Sequence, residues 1–340
     1  MTAEELKINI KFDISIKLDS GKIYKASIPL ELPLEDVIEN GTASKEFTDM
    51  SKYVFKRIKG LLVKNSRNPR FERIVCYCSV DGQLNDSRIG RLVIGDIAVL
   101  TDAISQIGTI TEEAVVVDEF SKAYTNFCNR NFGRTWAQRI GVTTCPYCNR
   151  SYIFTSSKSG TRPQYDHYFP KSKYPYLALS MYNLIPCCSI CNGLKHDVDT
   201  HQTPIIYPYK DSYSGQALFE AASKGDDITA WLGAAEEYQI KIRYSKDIDP
   251  ELKHKIERAV SLFKLEDLYS KHSDYVRDIL RTAYIYNDDY FEGLAAQYGD
   301  LFRNKQEAQD FVFFNYLDEA DWGKRVLAKL THDIAEEAMG

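Results

Sequence analysis

The chain has 340 residues, 44% of them hydrophobic and 27% charged, with a net charge of −5 at neutral pH. That length allows two or three domains, and that balance excludes both a disordered chain and a bundle of membrane spans. No run of about 18 apolar residues occurs, and the opening MTAEELKINIKF lacks the charged start and apolar centre of a secretory signal, so the sequence reads as a cytoplasmic protein with reduced thiols and no membrane contact.

In chain order, Ile8, Ile10, Phe12, Ile14, Ile16 and Leu18 alternate with mostly polar residues, the pattern of a half-buried strand. After a turn at LDSGK the alternation resumes at Tyr24, Ala26, Ile28 and Leu30, predicting a β-hairpin that Pro29 and Pro33 end. Phe47, Met50, Tyr53, Val54, Ile58, Leu61 and Leu62 recur at helical spacing and predict a helix over 46–64. The run ERIVCYCSV at 72–80 predicts a strand, in which Cys76 and Cys78 face opposite sides and do not share a metal. Residues 92–107 read as strand then helix, and 111–140 as two helical pieces parted near 131–133. Residues 141–200 hold turn residues, aromatics and cysteines without a long periodic segment. From about 211 the pattern is helical, with one strand at 238–244 (YQIKIRY). Asp249-Pro250-Glu251 marks a helix start, a capping carboxylate followed by proline, and three or four helices are expected beyond it. The expected fold class is α+β: a mixed α/β region of unknown role over 1–120, a central module over 121–210 and a mainly helical region over 211–340.

The charge is unevenly spread. Residues 121–196 carry ten bases and only one acid, Asp166, while 266–340 carry 16 acids against 8 bases. A basic block suits a polyanionic ligand, although a charge run alone is more often a solvated face.

Cys145-Pro-Tyr-Cys148 and Cys188-Ser-Ile-Cys191 are two C-x-x-C turns with 39 residues between them. Each turn aims two thiolates at one point, and two turns complete a tetrahedral zinc site. A thioredoxin-like redox pair at Cys145 and Cys148 would leave the second pair unexplained. Cys187 adjoins Cys188 as a rival ligand, but the C-x-x-C register favours Cys188. Four thiolates leave zinc no open position, so its expected role is structural. The chemistry must then lie in what the zinc ties together.

Within and beside this frame stand Asp166-His167, Asn183 with Leu-Ile-Pro after it, and Cys-Asn192 with Lys195 three residues on. This arrangement over about 145–197 resembles the HNH endonuclease motif in its zinc-bound version. The wording CPYCN … DHYFPKSKYPYLALSMYNLIPCC is similar to HNH nucleases of bacterial anti-phage systems, including the Septu-type and retron-associated ones. The resemblance implies a ββα-metal module with one catalytic divalent ion, Mg²⁺ or Mn²⁺. By carry-over Asp166 is a metal ligand, His167 the general base, Asn183 the residue that holds the loop so that His167 is aimed, and Asn192 the second metal ligand. It also implies DNA as substrate, with RNA open as well, and an ATPase or other defence-system subunit as partner; a homo-oligomer is compatible with it.

Those residue types suit the reaction. Phosphodiester hydrolysis needs a base for the water, and histidine titrates near neutrality. A divalent ion neutralises charge on the phosphate, and one carboxylate with one amide oxygen are hard ligands that leave it water positions. On a helix, Asn192 and His196 would share a face, making His196 a third candidate ligand. Lys195, Lys171 and Lys173 are candidates for phosphate contact, as are Arg150, Lys158 and Arg162. Tyr168, Phe169, Tyr174 and Tyr176 could stack on bases, but aromatics beside prolines are more often packing. His254, His272 and His332 read as structural.

Overall fold

In the computed structural model, the described residues are 7–17, 23–33, 45–156, 158, 160–223, 232–235 and 237–339, with side chains described from residue 49 onward. They form an α+β fold with small antiparallel sheets and a helical region toward higher numbers, as the sequence predicts. Among the described residues, no helix is long and apolar enough to cross a membrane.

The contacts group the chain into two compact units. One joins residues up to 139 with 167–184, and the other joins 140–166 with residues from 185 onward. The three breaks all fall inside the 121–210 stretch, between Arg139 and Ile140, between Asp166 and His167, and between Leu184 and Ile185.

In the first unit, β1 (Lys7–Lys17) and β2 (Ile23–Pro33) pair antiparallel over 11 residues each, the expected hairpin. Pro29 does not end β2; it lies opposite Lys11 within the ladder. A two-stranded ribbon consists of edges alone, and a proline is tolerated on an edge. α1 (Lys45–Lys64) buries Met50, Val54, Ile58, Leu61 and Leu62 on one face, as its spacing requires.

The strand expected at 72–80 is instead α2 (Glu72–Tyr77), followed by a minimal hairpin of β3 (Ser79–Val80) and β4 (Gln83–Leu84). A short apolar run fits either conformation by periodicity alone. Here a single turn opened by Pro69, with Asn68 accepting from the Arg70 amide, leads the chain directly into helix. Residues 92–107 are likewise helical rather than strand then helix. They belong to α3 (Asp86–Ile94) and α4 (Ile97–Ile107), separated at Gly95 and capped by the side chains of Asn85 and Asp96. α5 (Ala114–Asn129) and α6 (Phe132–Ile140) are the two expected helical pieces. Val116, Phe120, Ala123 and Phe127 form the buried face of α5.

The segment 168–183 packs within this unit through its aromatics. Tyr168, Phe169, Tyr174 and Tyr176 are all buried. Tyr176 donates its hydroxyl to the Gly108 carbonyl (2.9 Å), and the Ile110 amide donates to Lys173 O (2.8 Å). Packing, not base stacking, is what these four rings do here.

β5 (Gln164–His167) and β6 (Leu184–Cys187) are neighbours in a two-stranded sheet, and α7 (Ser189–Lys195) follows, giving the strand–strand–helix order expected over this stretch. In the second unit, β7 (Ala217–Ser223) pairs antiparallel with β8 (Tyr238–Tyr244). β8 is the expected strand. β7 (ALFEAAS) is not expected, because its alanines favour helix by propensity; its alternating burial and its pairing with β8 decide otherwise. α8 (Pro250–Leu262) begins as read, with Asp249 accepting from the Leu252 amide (2.9 Å). More helices follow than the three or four expected: α9 (Leu265–Ser270), α10 (Ser273–Ile285), α11 (Asp288–Gln297), α12 (Lys305–Val312) and α13 (Ala328–Met339).

Candidate functional site

The zinc frame lies wholly in the second unit. The Sγ atoms of Cys145, Cys148, Cys188 and Cys191 all lie within 4.8 Å of one another, and all four residues are buried. A tetrahedral Zn²⁺ with bonds of about 2.3 Å separates its sulfurs by about 3.8 Å; the Cys148–Cys188 distance is 4.0 Å. All eight cysteines are free thiols, so no disulfide competes for these sulfurs. Burial pushes the Cys145 thiol well above its ordinary range. Four buried thiols this close fit a metal ion such as zinc, whose charge is what lets them ionise together.

Local structure explains the convergence. The Cys145 carbonyl accepts from the Asn149 amide (2.7 Å), and the Cys145 amide donates to Ser151 O (2.9 Å), closing a tight knuckle. Asn149 takes φ of +46°, a conformation asparagine tolerates better than most residues. Tyr269 fixes the knuckle further by donating its hydroxyl to Cys148 O (2.6 Å). The second turn is a helix cap: Cys188 precedes α7 and its Sγ accepts from the Cys191 amide (3.4 Å). Cys187 is buried but lies outside the four-sulfur group, and burial raises its thiol.

The candidate catalytic residues fall on both sides of the unit division. On the zinc side stand Asp166, Asn192, Lys195 and His196. The Asp166 side chain is 2% exposed and both of its oxygens are engaged: Oδ1 lies 3.1 Å from Lys195 Nζ, and Oδ2 accepts from the Tyr147 hydroxyl at 2.7 Å. Burial pushes the Asp166 carboxyl up, while the Lys195 ammonium and Tyr147 hydroxyl pull it back. Lys195 is fully buried, so the expected reach to a phosphate is not what its side chain does here; its ammonium sits on Asp166. Asn192 is half-buried and donates its amide to Gln164 Oε1 (2.8 Å).

His196 does not share a helical face with Asn192. α7 stops at Lys195, and His196 turns away with φ of +42°, exposed, its Nδ1 3.2 Å from Asp197 Oδ2. Arg150 does not project a free guanidinium; its Nε and Nη2 are buried without hydrogen-bond partners, and the group lies 5.9 Å from the Tyr269 ring centroid. Two aromatics that the sequence does not single out are exposed beside the knuckle: Tyr152 and Phe154, stacked at 4.6 Å with planes 14° apart.

On the other side stand His167 and Asn183. His167 is 8% exposed; its Nε2 lies 3.0 Å from the Ala178 carbonyl, and its ring meets Tyr124 edge-on at 4.6 Å. A carbonyl oxygen only accepts, so Nε2 carries the proton and, in the neutral ring, Nδ1 carries the lone pair. Asn183, fully buried, spans the loop. Its Oδ1 accepts from the Phe169 amide (2.7 Å), and its Nδ2 donates to the carbonyls of Phe169 (3.0 Å) and Leu177 (3.1 Å). Its own carbonyl accepts from the Tyr168 amide (2.9 Å), so both ends of the residue grip the segment that follows His167. Lys171 and Lys173 are half-buried, with Lys171 Nζ 4.8 Å from the Tyr124 ring centroid.

Over 120 residues the chain is 28% identical to the Septu protein PtuB of Bacillus thuringiensis. The matched stretch is 35% of this chain and 45% of that relative, so less than half of the relative's length is spanned. No family model matches, and no solved structure does.

Sequence reasoning does not find Tyr147, Gln164 or Tyr124. Tyr147 fills a variable position of the first C-x-x-C turn, where an aromatic carries no chemical signal. Its 2.7 Å bond to Asp166 gives it a place in the site.

Proposed function

We propose that this chain is a metal-dependent endonuclease of the HNH type that hydrolyses phosphodiester bonds in DNA and serves bacterial anti-phage defence. The observation that carries the reading is the setting of His167. A buried imidazole with Nε2–H donated to the Ala178 carbonyl has its base nitrogen specified as Nδ1, the preparation a general base needs. The buried Asp166 that adjoins it in the chain supports the same reading.

The donor set at Asp166 and Asn192 fits a hard divalent cation, and the Asp166 carboxylate already holds a positive charge in contact. Mg²⁺ or Mn²⁺ held there would neutralise charge on the phosphate and on the leaving oxygen. The remaining work belongs to the chain's own groups. His167 takes the proton of the attacking water at Nδ1. Asn183 and Ala178 O keep the ring from turning. The four cysteines, with zinc, hold the second C-x-x-C turn and hence the start of α7, which carries Asn192. Lys171 and Lys173, and the exposed pair Tyr152 and Phe154, supply cations and stacking faces for nucleic acid.

The similarity to a Septu protein supports the defence role, and by analogy with such systems the partner is an ATPase subunit that gates cleavage. A second reading has one observation in its favour. Lys195 neutralises Asp166 without any metal, as in a zinc-stabilised module that binds nucleic acid and does not cut it. The deciding experiment is plasmid and single-strand cleavage with Mg²⁺ or Mn²⁺, by wild type and His167→Ala, with zinc quantified in both and any partner subunit added. The nuclease reading expects a loss of about 10²-fold or more with binding retained. Nucleic-acid binding by both proteins with cutting by neither, partner included, leaves the binding module.

A further inference from the structure

The geometry points to Lys195 as a built-in counter-cation that competes with the catalytic divalent ion for Asp166, so that metal entry expels the lysine from its burial and frees it toward the substrate phosphate. This rests on the nuclease reading and specifies how its metal site is regulated.

The pair is unusual in its burial. Lys195 is 0% and Asp166 2% exposed, among side chains that include Tyr147, itself 1% exposed and stacked on Phe263 at 4.6 Å. Lysine is almost never fully buried unless paired, and the partner here is the one carboxylate among the ten bases of 121–196. Asp166 has no oxygen without a partner, with Lys195 on Oδ1 and Tyr147 on Oδ2. A divalent ion coordinated to Oδ1 would stand within contact distance of an ammonium at 3.1 Å, two like charges in surroundings too dry to screen them. Both cannot stay. Tyr147 is compatible with either cation, since its hydroxyl donates to the other oxygen.

The exit is short. Lys195 is the last residue of α7 and adjoins the exposed His196, where the chain turns sharply, so its buried ammonium is carried on a flexible four-carbon stem next to an exposed residue. Asn192 lies one turn earlier on the same helix, so a single short element carries both the proposed second metal ligand and the competing cation. The device would hold the metal site closed until the divalent ion, with the substrate phosphate as a further anion for the released ammonium, outcompetes the internal pair.

The test uses the full-length, zinc-loaded chain. Mn²⁺ binding is measured by calorimetry for wild type, Lys195→Met and Asp166→Asn, and Lys195 labelling by acetic anhydride is read by mass spectrometry on wild type with and without Mg²⁺. Exchange predicts Mn²⁺ affinity about tenfold or more tighter in Lys195→Met, no binding in Asp166→Asn, and Lys195 labelling that rises severalfold with Mg²⁺. The labelling arm keeps the test decisive if Lys195→Met does not fold. Mn²⁺ that binds through Asp166 while Lys195 stays protected overturns the exchange and leaves the nuclease reading standing. A zinc-loaded wild type that binds no Mn²⁺ overturns both.

Discussion

The zinc side and the histidine side of the motif are built on different physics. Around Cys145 and Asp166 everything turns on charge: four thiols converge, and a buried carboxylate faces a buried ammonium. Around His167 and Asn183 almost everything is neutral: an amide side chain grips three backbone groups of its loop, and a carbonyl fixes an imidazole. A charged arrangement can be exchanged, because one cation can replace another. A neutral clamp cannot be exchanged without breaking, because each buried donor or acceptor left alone costs its full desolvation. The contrast separates a region suited to ion exchange from one suited to holding a base still.

The comparison is tested most severely by removing a zinc ligand. Cys145→Ser, or chelation of the metal, should cost several kcal/mol, because structural zinc supplies folding free energy directly. Hydrogen exchange should show the knuckle and the start of α7 losing protection, while protection within the first unit persists. Next comes the neutral clamp. Asn183→Ala takes a partner from the Phe169 amide and carbonyl and from the Leu177 carbonyl, which keeps the Ser180 amide, and should destabilise by about 2–4 kcal/mol in denaturant melts. Unlike the cysteine change, this loss should not respond to added zinc.

Tyr147→Phe removes one hydrogen bond to a charged group and should cost about 1–3 kcal/mol, read as a lower melting temperature with zinc content unchanged. The smallest effect belongs to His196→Ala. The residue is exposed and outside α7, so stability should move by less than about 0.5 kcal/mol and Mn²⁺ affinity should not move. A large loss of metal binding in that variant would return His196 to the ligand set.

How much of this was legible depended on the kind of signal. The two C-x-x-C turns identify four residues that the fold then brings together, because two ligands three residues apart are placed by one local turn and need no knowledge of the rest. Helices with long amphipathic faces, such as α1 and α5, were readable for the same local reason. The run at 72–80 was not, since so short an apolar run fits helix and strand alike by periodicity, and the turn at Pro69 settles the matter. β7 exists because β8 pairs with it, which alanine-rich sequence does not announce. At the site, residue types were legible and partnerships were not. Lys195 reads as a phosphate contact by its position beside the motif, and the structure buries it against Asp166 instead. That outcome involves Tyr147, which bonds Asp166 and is itself stacked on the distant Phe263, a long-range fact absent from any window of sequence.

The first knuckle is also fastened to a distant stretch of chain. Asn149 donates its side-chain amide to the carbonyls of Trp322 (2.9 Å) and Arg325 (3.2 Å), and its own carbonyl accepts from the Leu327 amide (2.7 Å). Thr144 Oγ1 donates to Gly323 O at 3.1 Å. These partners lie 173 to 179 residues later in the sequence. At a synthesis rate of about 5–20 residues per second, roughly 10–35 seconds separate the emergence of the knuckle from that of the groups that complete it. During that interval the nascent knuckle has its cysteines but not its backing. The order of translation thus leaves the first knuckle without this backing, although the frame's four cysteines are already in place, until the 322–327 segment has left the ribosome.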